Sequence, residues 1–334
     1  MKYIESHSYD PHYNLAFEEY IFKYLPLDEG GYVTLWQNGP AVIIGKNQNA
    51  WAEINEKYLE ENDVKLIRRI TGGGAVYHDL GNLNFSFITK DIGKGKIDFK
   101  TYYEPIVAAL RALGAPAELS GRNDITVDEK KVVGASQSIW GGRVLSNGCI
   151  LFDVKMENLA QALTVRPEKL KSKGVSSVRA RVSNIKPYVG EDKTVEDFKA
   201  LLLAEIFKAF GEEPVEYVLT EEDKAGIEKI RAERFGLRSW NWGKSPKGSH
   251  KAALKFPYGF VEMSFDVNGG KMEHIEILGD FFGTADVAEL AKELEGVEYD
   301  RKSVLTKLER FDLAPYFGAS ATHEDLIDLI FGEA

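Results

Sequence analysis

The chain has 334 residues, of which 44% are hydrophobic, 28% charged and 11% aromatic, with a net charge of −10. That length predicts two domains, one of them large, and the composition argues against disorder, collagen or coiled coil. The acidic balance disfavours a duplex nucleic-acid binder, and the single cysteine, Cys149, excludes an intramolecular disulfide and a cysteine-only metal site. The start, Met1 to His7, lacks the apolar stretch of a signal peptide. Apolar runs such as Ala41-Val42-Ile43-Ile44 fall far short of the roughly 20 residues of a membrane span. The expectation is a cytoplasmic protein with neither membrane nor nucleic acid as partner.

In chain order, residues 14–25 place Leu15, Phe17, Ile21, Phe22 and Leu25 near helical spacing. Residues 32–36 and 41–44 read as strands separated by the turn Asn38-Gly39-Pro40. Residues 52–61 read as a helix and 64–67 as a strand. Leu83, Phe85 and Phe87 alternate with Asn84 and Ser86, the pattern of a half-buried strand. A helix over 101–113 is stopped by Gly114, and short strands follow near 124–127, 131–135 and 148–154. In 195–210, Phe198, Leu202, Ile206 and Phe210 recur every four residues, Gly211 ends the run, and Thr194 with Asp197 resembles a capping box. The Gly- and Pro-punctuated stretch 243–248 is the candidate linker. Beyond it, 259–267 and 272–278 form a hairpin around Asn268-Gly269-Gly270, and helices follow at about 286–295 and 320–331. The fold class expected is α+β, a small α+β domain on a larger one.

Three segments can carry chemistry. Residues 68–82 read RRITGGGAVYHDLGN. Three successive glycines let a backbone approach a ligand and aim N–H groups at an anion, and the two arginines add forked donors for phosphate or carboxylate. A tight turn with a solvated arginine pair is the plain alternative; the flanking arginines with His78, Asp79 and Asn82 favour a ligand loop. The spacing matches neither a Walker loop nor a dinucleotide fingerprint. The second segment is Gly121-Arg122-Asn123-Asp124 followed by Lys130 to Gln137. A lysine opening an apolar strand can set its ammonium in a cleft, and Asn123 and Asp124 offer oxygens to Mg²⁺; spacing alone favours a hairpin with solvated lysines. The third, Leu170 to Lys186, carries five basic residues and no acid, either a solvated loop or one that meets an anion. His78 lacks a metal-ligand context, and no nucleophile elbow occurs. Trp240-Asn241-Trp242 reads as packing.

Together these segments resemble the lipoate–protein ligase signature: R-R-x-T-G-G-G-A-V-Y-H-D-L-G-N at 68–82, G-R-N-D at 121–124, K-V-V-G-A-S-Q at 131–137 and K-G-V-S-S-V-R-A-R-V-S-N at 173–184. Tyr9-Asp10-Pro11 with Asn14-Leu15-Ala16, and Trp240 to Pro246, fit the same family. The resemblance implies a biotin/lipoate protein ligase catalytic fold, related to class II aminoacyl-tRNA synthetases, over 1–246. It implies a small C-terminal accessory domain over 250–334. It implies that lipoic acid and MgATP give lipoyl-adenylate and pyrophosphate. The lipoyl group then passes to a lysine of an apo lipoyl domain of a 2-oxoacid dehydrogenase E2 subunit or of glycine-cleavage H protein. Carried onto this chain, the ATP-binding positions are Arg69, Gly74, Ala75, Val76, Tyr77, Asn82, Asp124 and Lys131. The lipoate-binding positions are Arg68, Gly73 and Lys131. Lys131 is the catalytic position and Asp124 the candidate magnesium ligand. Residues 173–184 match a loop that closes over the adenylate. The nearest alternative is an octanoyl- or lipoyltransferase of the same fold, which needs no ATP and uses a cysteine thioester, here on Cys149.

Overall fold

The computed structural model describes residues 1–27, 30–92, 95, 97–121, 123–164, 182–243 and 248–332. From the N-terminus, β1 (Lys2–Tyr3) leads to α1 (Pro11–Lys23), β2 (Tyr32–Trp36), β3 (Ala41–Ile44), α2 (Ala50–Glu53) and α3 (Glu56–Glu61). Strands β4 (Lys65–Arg68), β5 (Val76–His78) and β6 (Asn82–Lys90) follow, then α4 (Phe99–Ala112). An antiparallel run comes next: β7 (Glu118–Ser120), β8 (Asp124–Val127), β9 (Lys130–Trp140) and β10 (Arg143–Leu151). After α5 (Met156–Ala162), α6 (Lys186–Val189), α7 (Val195–Phe210) and β11 (Val215–Glu216), α8 (Glu221–Ile230) runs through a π turn into α9 (Arg238–Trp242). The C-terminal region holds β12 (His250–Phe256), β13 (Gly259–Asn268), β14 (Lys271–Gly279), α10 (Val287–Leu294), α11 (Arg301–Leu308), α12 (Ala314–Phe317) and α13 (His323–Phe331).

Eight strands form one sheet in the order β11-β1-β2-β6-β10-β9-β8-β7, and β4-β3-β5 form a second. The strands read at 32–36 and 41–44 therefore belong to different sheets, because the Asn38-Gly39-Pro40 turn carries the chain from one to the other. Helix α1 starts earlier than apolar spacing suggested. Asp10 caps it by accepting from the His12 amide, and Pro11 fills the first turn, where a missing N–H costs nothing. The helix read at 52–61 is two short ones with Asn55 capping the second, and α7 carries the expected Thr194–Asp197 capping box and a left-handed Gly211.

The most instructive correction concerns β6. It was expected to be half-buried, yet every residue from Asn82 to Ile88 is buried. It lies between β2 and β10. Its apolar set, with Val33, Leu35, Phe85, Phe87 and Ile150, packs under Tyr103, Ile106, Phe198 and Leu202 of α4 and α7. Its polar set faces the other way, toward α1 and the small sheet. Directly paired residues share a face, so two rows cross four strands. One runs Thr34, Ser86, Asn147, Ser136; the other runs Trp36, Asn84, Cys149, Gly134.

The C-terminal region has its own buried cluster, built by Tyr258, Val261, Phe265 and Ile277 with Leu290, Leu294, Val304, Leu326 and Ile330. It carries β12, α11 and α12 besides the expected hairpin and two helices. It rests on the first region beside the triple glycine. Gly279 N–H donates to Asn47 O at 2.8 Å, Lys46 meets Asp286 at 3.6 Å, and the Phe282 ring abuts Phe99. Three of the stretches singled out in the sequence, Arg122, 173–181 and 244–247, lie outside the described residues.

Candidate active site

A cavity enclosing about 590 Å³ of space free of protein atoms, partly open to solvent, lies between the polar face of the large sheet, α1 and the small sheet. Its wall takes Leu15 and Glu18 from α1, Ile43 from β3, Arg69, Gly74, Ala75, Val76 and His78 from the stretch through β5, and Asn123, Lys131 and Ser136 from the β8–β9 side.

Lys131 stands at the start of β9, paired at 2.8 Å with Asp124, and its side chain folds over Gly134. A Cβ at 134 would sit 3.1 Å from the Lys131 Nζ, so the glycine leaves room for the ammonium. Asn123 is braced to β9 through both its carbonyl and its Nδ2. Val182 and Ser183, the described end of the basic stretch, bridge and hydrogen-bond to Lys131 through the backbone, 3.0 Å from the Ser183 amide to the Lys131 carbonyl. That brings the end of the basic stretch at Val182 and Ser183 to the lysine, across fifty residues of sequence.

The two adjacent arginines part company. Arg69 lines the cavity and donates to the carbonyls of Gly72 (2.6 Å), Gly74 (2.9 Å) and Ile43 (3.2 Å) and to Thr71 Oγ1 (3.0 Å). It shapes the glycine loop from behind. Burial lowers its pKa to about 10, still a cation at neutral pH. Arg68, expected beside lipoate, is turned away from the cavity. Its donors go to the carbonyls of Gly45, Lys46 and Gln48 and to those of Trp240 and Trp242. The alternation of β4 puts consecutive side chains on opposite sides. The Trp240-Asn241-Trp242 turn is thereby a clamp on Arg68, with Trp240 Nε1 returning a bond to its carbonyl.

Of the glycine run, Gly73 has φ +93 and its Cβ would meet the Phe282 ring at 2.8 Å, while Gly74 faces open space. Gly74, Ala75, Val76, Arg69 and Lys131 therefore line the cavity as a set. Gly73, Tyr77, Asn82 and Asp124 do not line it. Tyr77 packs with Val42 and Leu151, and its hydroxyl accepts from Asn158. Asn82 caps the Asp79 turn and donates to Cys149 Sγ at 3.2 Å.

Several lining residues escaped the sequence reading: Glu18, Trp36, Asn84 and Asn147. The polar set of β6 was the available signal, but alternation alone points it at solvent. A directed chain of donors crosses the cavity wall. Arg69 donates to Thr71, and the Thr71 hydroxyl meets Ser136 Oγ at 2.8 Å. Ser136 donates to Asn147, and Asn147 Nδ2 to Glu18 Oε1 at 2.8 Å. Trp36 Nε1 donates to Ser86, which donates to the same Oε1. Burial raises the Glu18 pKa against these bonds and against Arg69. Burial, then Arg69, pushes the His78 pKa down to about 3, so the ring is neutral. Cys149 is buried in the wall, and its thiol is pushed up to about 12 despite Lys131 and Asn82. That is the opposite of an activated nucleophile.

Among the described residues no three His, Cys, Asp or Glu side chains are grouped to hold a metal, and no helix is long and apolar enough to cross a membrane.

A family model described as the lipoyl protein ligase A/B catalytic domain matches residues 10–207, and one described as the bacterial lipoate protein ligase C-terminus matches 245–330. The lipoate-protein ligase LplJ of Bacillus subtilis is 46% identical over 324 residues, 96% of this chain and 97% of that protein. Among solved structures, LipL1 of P. falciparum, in complex with lipoate, superposes with a TM-score of 0.82 at 24% identity, covering 99% of both chains. A lipoate-protein ligase A bound with ATP does so with a TM-score of 0.63 at 28% identity, covering 72% of this chain and 98% of that one. The fold is that of the biotin/lipoate ligase catalytic domain.

Proposed function

The chain belongs to the lipoate–protein ligase family and is a ligase, and from that premise we propose that it activates lipoate with ATP and hands the lipoyl group to a protein lysine. The name of the Bacillus relative supports lipoate as the acid, and the ATP-bound neighbour supports the nucleotide. The observation that carries the reading is Lys131, an ammonium at a cavity walled by Gly74, Ala75 and Val76 on one side and β9 on the other.

Two anions must meet there. The lipoate carboxylate attacks the ATP α-phosphorus, the bond to the β-phosphate breaks, and pyrophosphate leaves. Lys131 lies against both groups and offsets their repulsion, then stabilises charge on the phosphoryl oxygens. The glycine loop, held by Arg69, brings its backbone to the nucleotide, with Tyr77 and Asn82 supporting it from behind. Arg68 and Gly73 hold that loop's frame rather than the acid. A magnesium ion supplies charge neutralisation on the phosphates; Asp124, paired with Lys131, is the carboxylate that would help hold it, and one carboxylate suits an ion that keeps its waters. In the second step an acceptor lysine amine attacks the acyl carbonyl, AMP leaves, and the amine proton is lost to solvent. Acceptors of the proposed type are apo lipoyl domains of 2-oxoacid dehydrogenase E2 subunits and glycine-cleavage H protein, met in the cytoplasm. Residues 1–246 form the catalytic unit in this reading and 250–334 the accessory unit, which has a buried cluster of its own while lending Phe282 to the larger one.

The test is purified protein with lipoate, ATP and an apo lipoyl domain. Pyrophosphate release and a lipoylated lysine are expected, and Cys149→Ser retains most of both. An ATP-independent transfer that Cys149→Ser abolishes, with an acyl-thioester trapped on the wild type, would replace this reading by the transferase.

A further inference from the structure

Three buried polar atoms in the cavity wall have no protein partner among the described residues: His78 Nε2, Asn84 Nδ2 and Glu18 Oε2. Buried polar groups normally find one, so each such gap calls for a ligand or a cause. The surrounding bonds fix what His78 offers. Asn14 Nδ2 lies within hydrogen-bond distance of the carbonyls of Ser8 and Gln37, both at 2.8 Å, and of Asn38 Oδ1 at 3.0 Å, its two hydrogens shared among the three. Asn38 therefore presents its Nδ2 to His78 Nδ1, at 3.1 Å. Nδ1 accepts, and the ring proton sits on Nε2, a donor aimed at the cavity. Glu18 Oε1 is already taken by Ser86 and Asn147. Its Oε2 has no protein partner among the described residues.

Asn84 stands two strands from Gly134, where the Lys131 ammonium rests. At the spacing of paired strands that is about 10 Å. A carboxylate at Lys131 places the far end of a pentanoyl chain and its ring near Asn84 and His78.

We propose that His78, with Asn84, determines acyl specificity by donating to the ring sulfurs of the dithiolane, so that the cavity selects a lone-pair-bearing ring over a hydrocarbon end of the same shape. This rests on the ligase reading above. Sulfur is a weak acceptor, yet a ring without lone pairs leaves these donors desolvated and unpaired, and sites of that kind reject the analogue.

The experiment compares lipoate with its cyclopentyl analogue, in which both sulfurs are carbon, by kcat/KM for pyrophosphate release. The wild type, His78→Phe and His78→Gln are measured, with binding of each acid followed by calorimetry without ATP. The wild type should favour lipoate about tenfold, His78→Phe should bring the ratio near one, and His78→Gln, which restores a donor, should recover part of it. A loss of packing alone lowers both acids together and leaves the ratio unchanged. Equal use of the two acids by the wild type, or a ratio undiminished in His78→Phe, overturns the inference while leaving the ligase reading intact. No pyrophosphate from either acid in the wild type overturns both.

Discussion

The two faces of the large sheet are built from alternate residues of the same strands. On one face Val33, Leu35, Phe85 and Phe87 meet α4 and α7 and bury apolar surface. On the other, Thr34, Asn84, Ser86, Asn147 and Ser136 face α1 and the small sheet, with Asn84, Asn147 and Ser136 at the cavity between them. The first face stabilises, at about 1.5–3 kcal/mol for each large side chain buried. The second holds polar atoms that cost stability unless paired, and leaves a few of them open. A period of two along a strand thus separates folding from binding, residue by residue.

Substitutions on the two faces should separate the same way. Phe85 is fully buried on the packed face. Phe85→Ala should cost about 3–5 kcal/mol of stability, read by denaturant unfolding, with activity lost only in proportion to unfolded protein. A loss under about 1 kcal/mol would show that α4 does not depend on this contact.

Lys131→Ala probes the mouth of the polar face. It should remove about 3 kcal/mol of transition-state stabilisation, hundreds-fold in pyrophosphate release, with melting little changed. A folded variant with near-normal release would take Lys131 out of the chemistry.

The third contrast is with pH. The folded His78 pKa is about 3, below the 6.5 of the free side chain. The unfolded chain therefore binds a proton that the folded chain refuses between those values, and stability falls as pH drops through that window. The slope is at most about 1.4 kcal/mol per pH unit, and it is absent above the unfolded pKa. His78→Gln should flatten the acid limb; an unchanged limb would mean that other groups set it.

The smallest effect belongs to Thr34, whose buried hydroxyl has no partner among the described residues and does not line the cavity. Thr34→Val should be neutral or stabilise by up to about 1 kcal/mol, with kcat/KM unchanged. A loss above that would reveal a bond made through water.

Much of this molecule was legible before any fold was in view. The strands at 32–36 and 41–44, the hairpin near 268–270, and the capping box at Thr194 are local, written in side-chain period and turn chemistry over a few residues. The glycine run stood out as a ligand loop through its flanking arginines, while Lys131 stood out only through the family resemblance, since spacing alone favours a solvated lysine there. The tertiary structure decided the rest. It assigned adjacent Arg68 and Arg69 to different work, one clamped to Trp240 and Trp242, the other braced on the glycine loop. It turned the polar residues of β6 inward and brought Glu18 and His78, sixty residues apart, to one wall. Sequence period tells that a strand has two faces. Which face meets water depends on what else packs against it, and here α1 and the small sheet cover the face that alternation assigns to solvent.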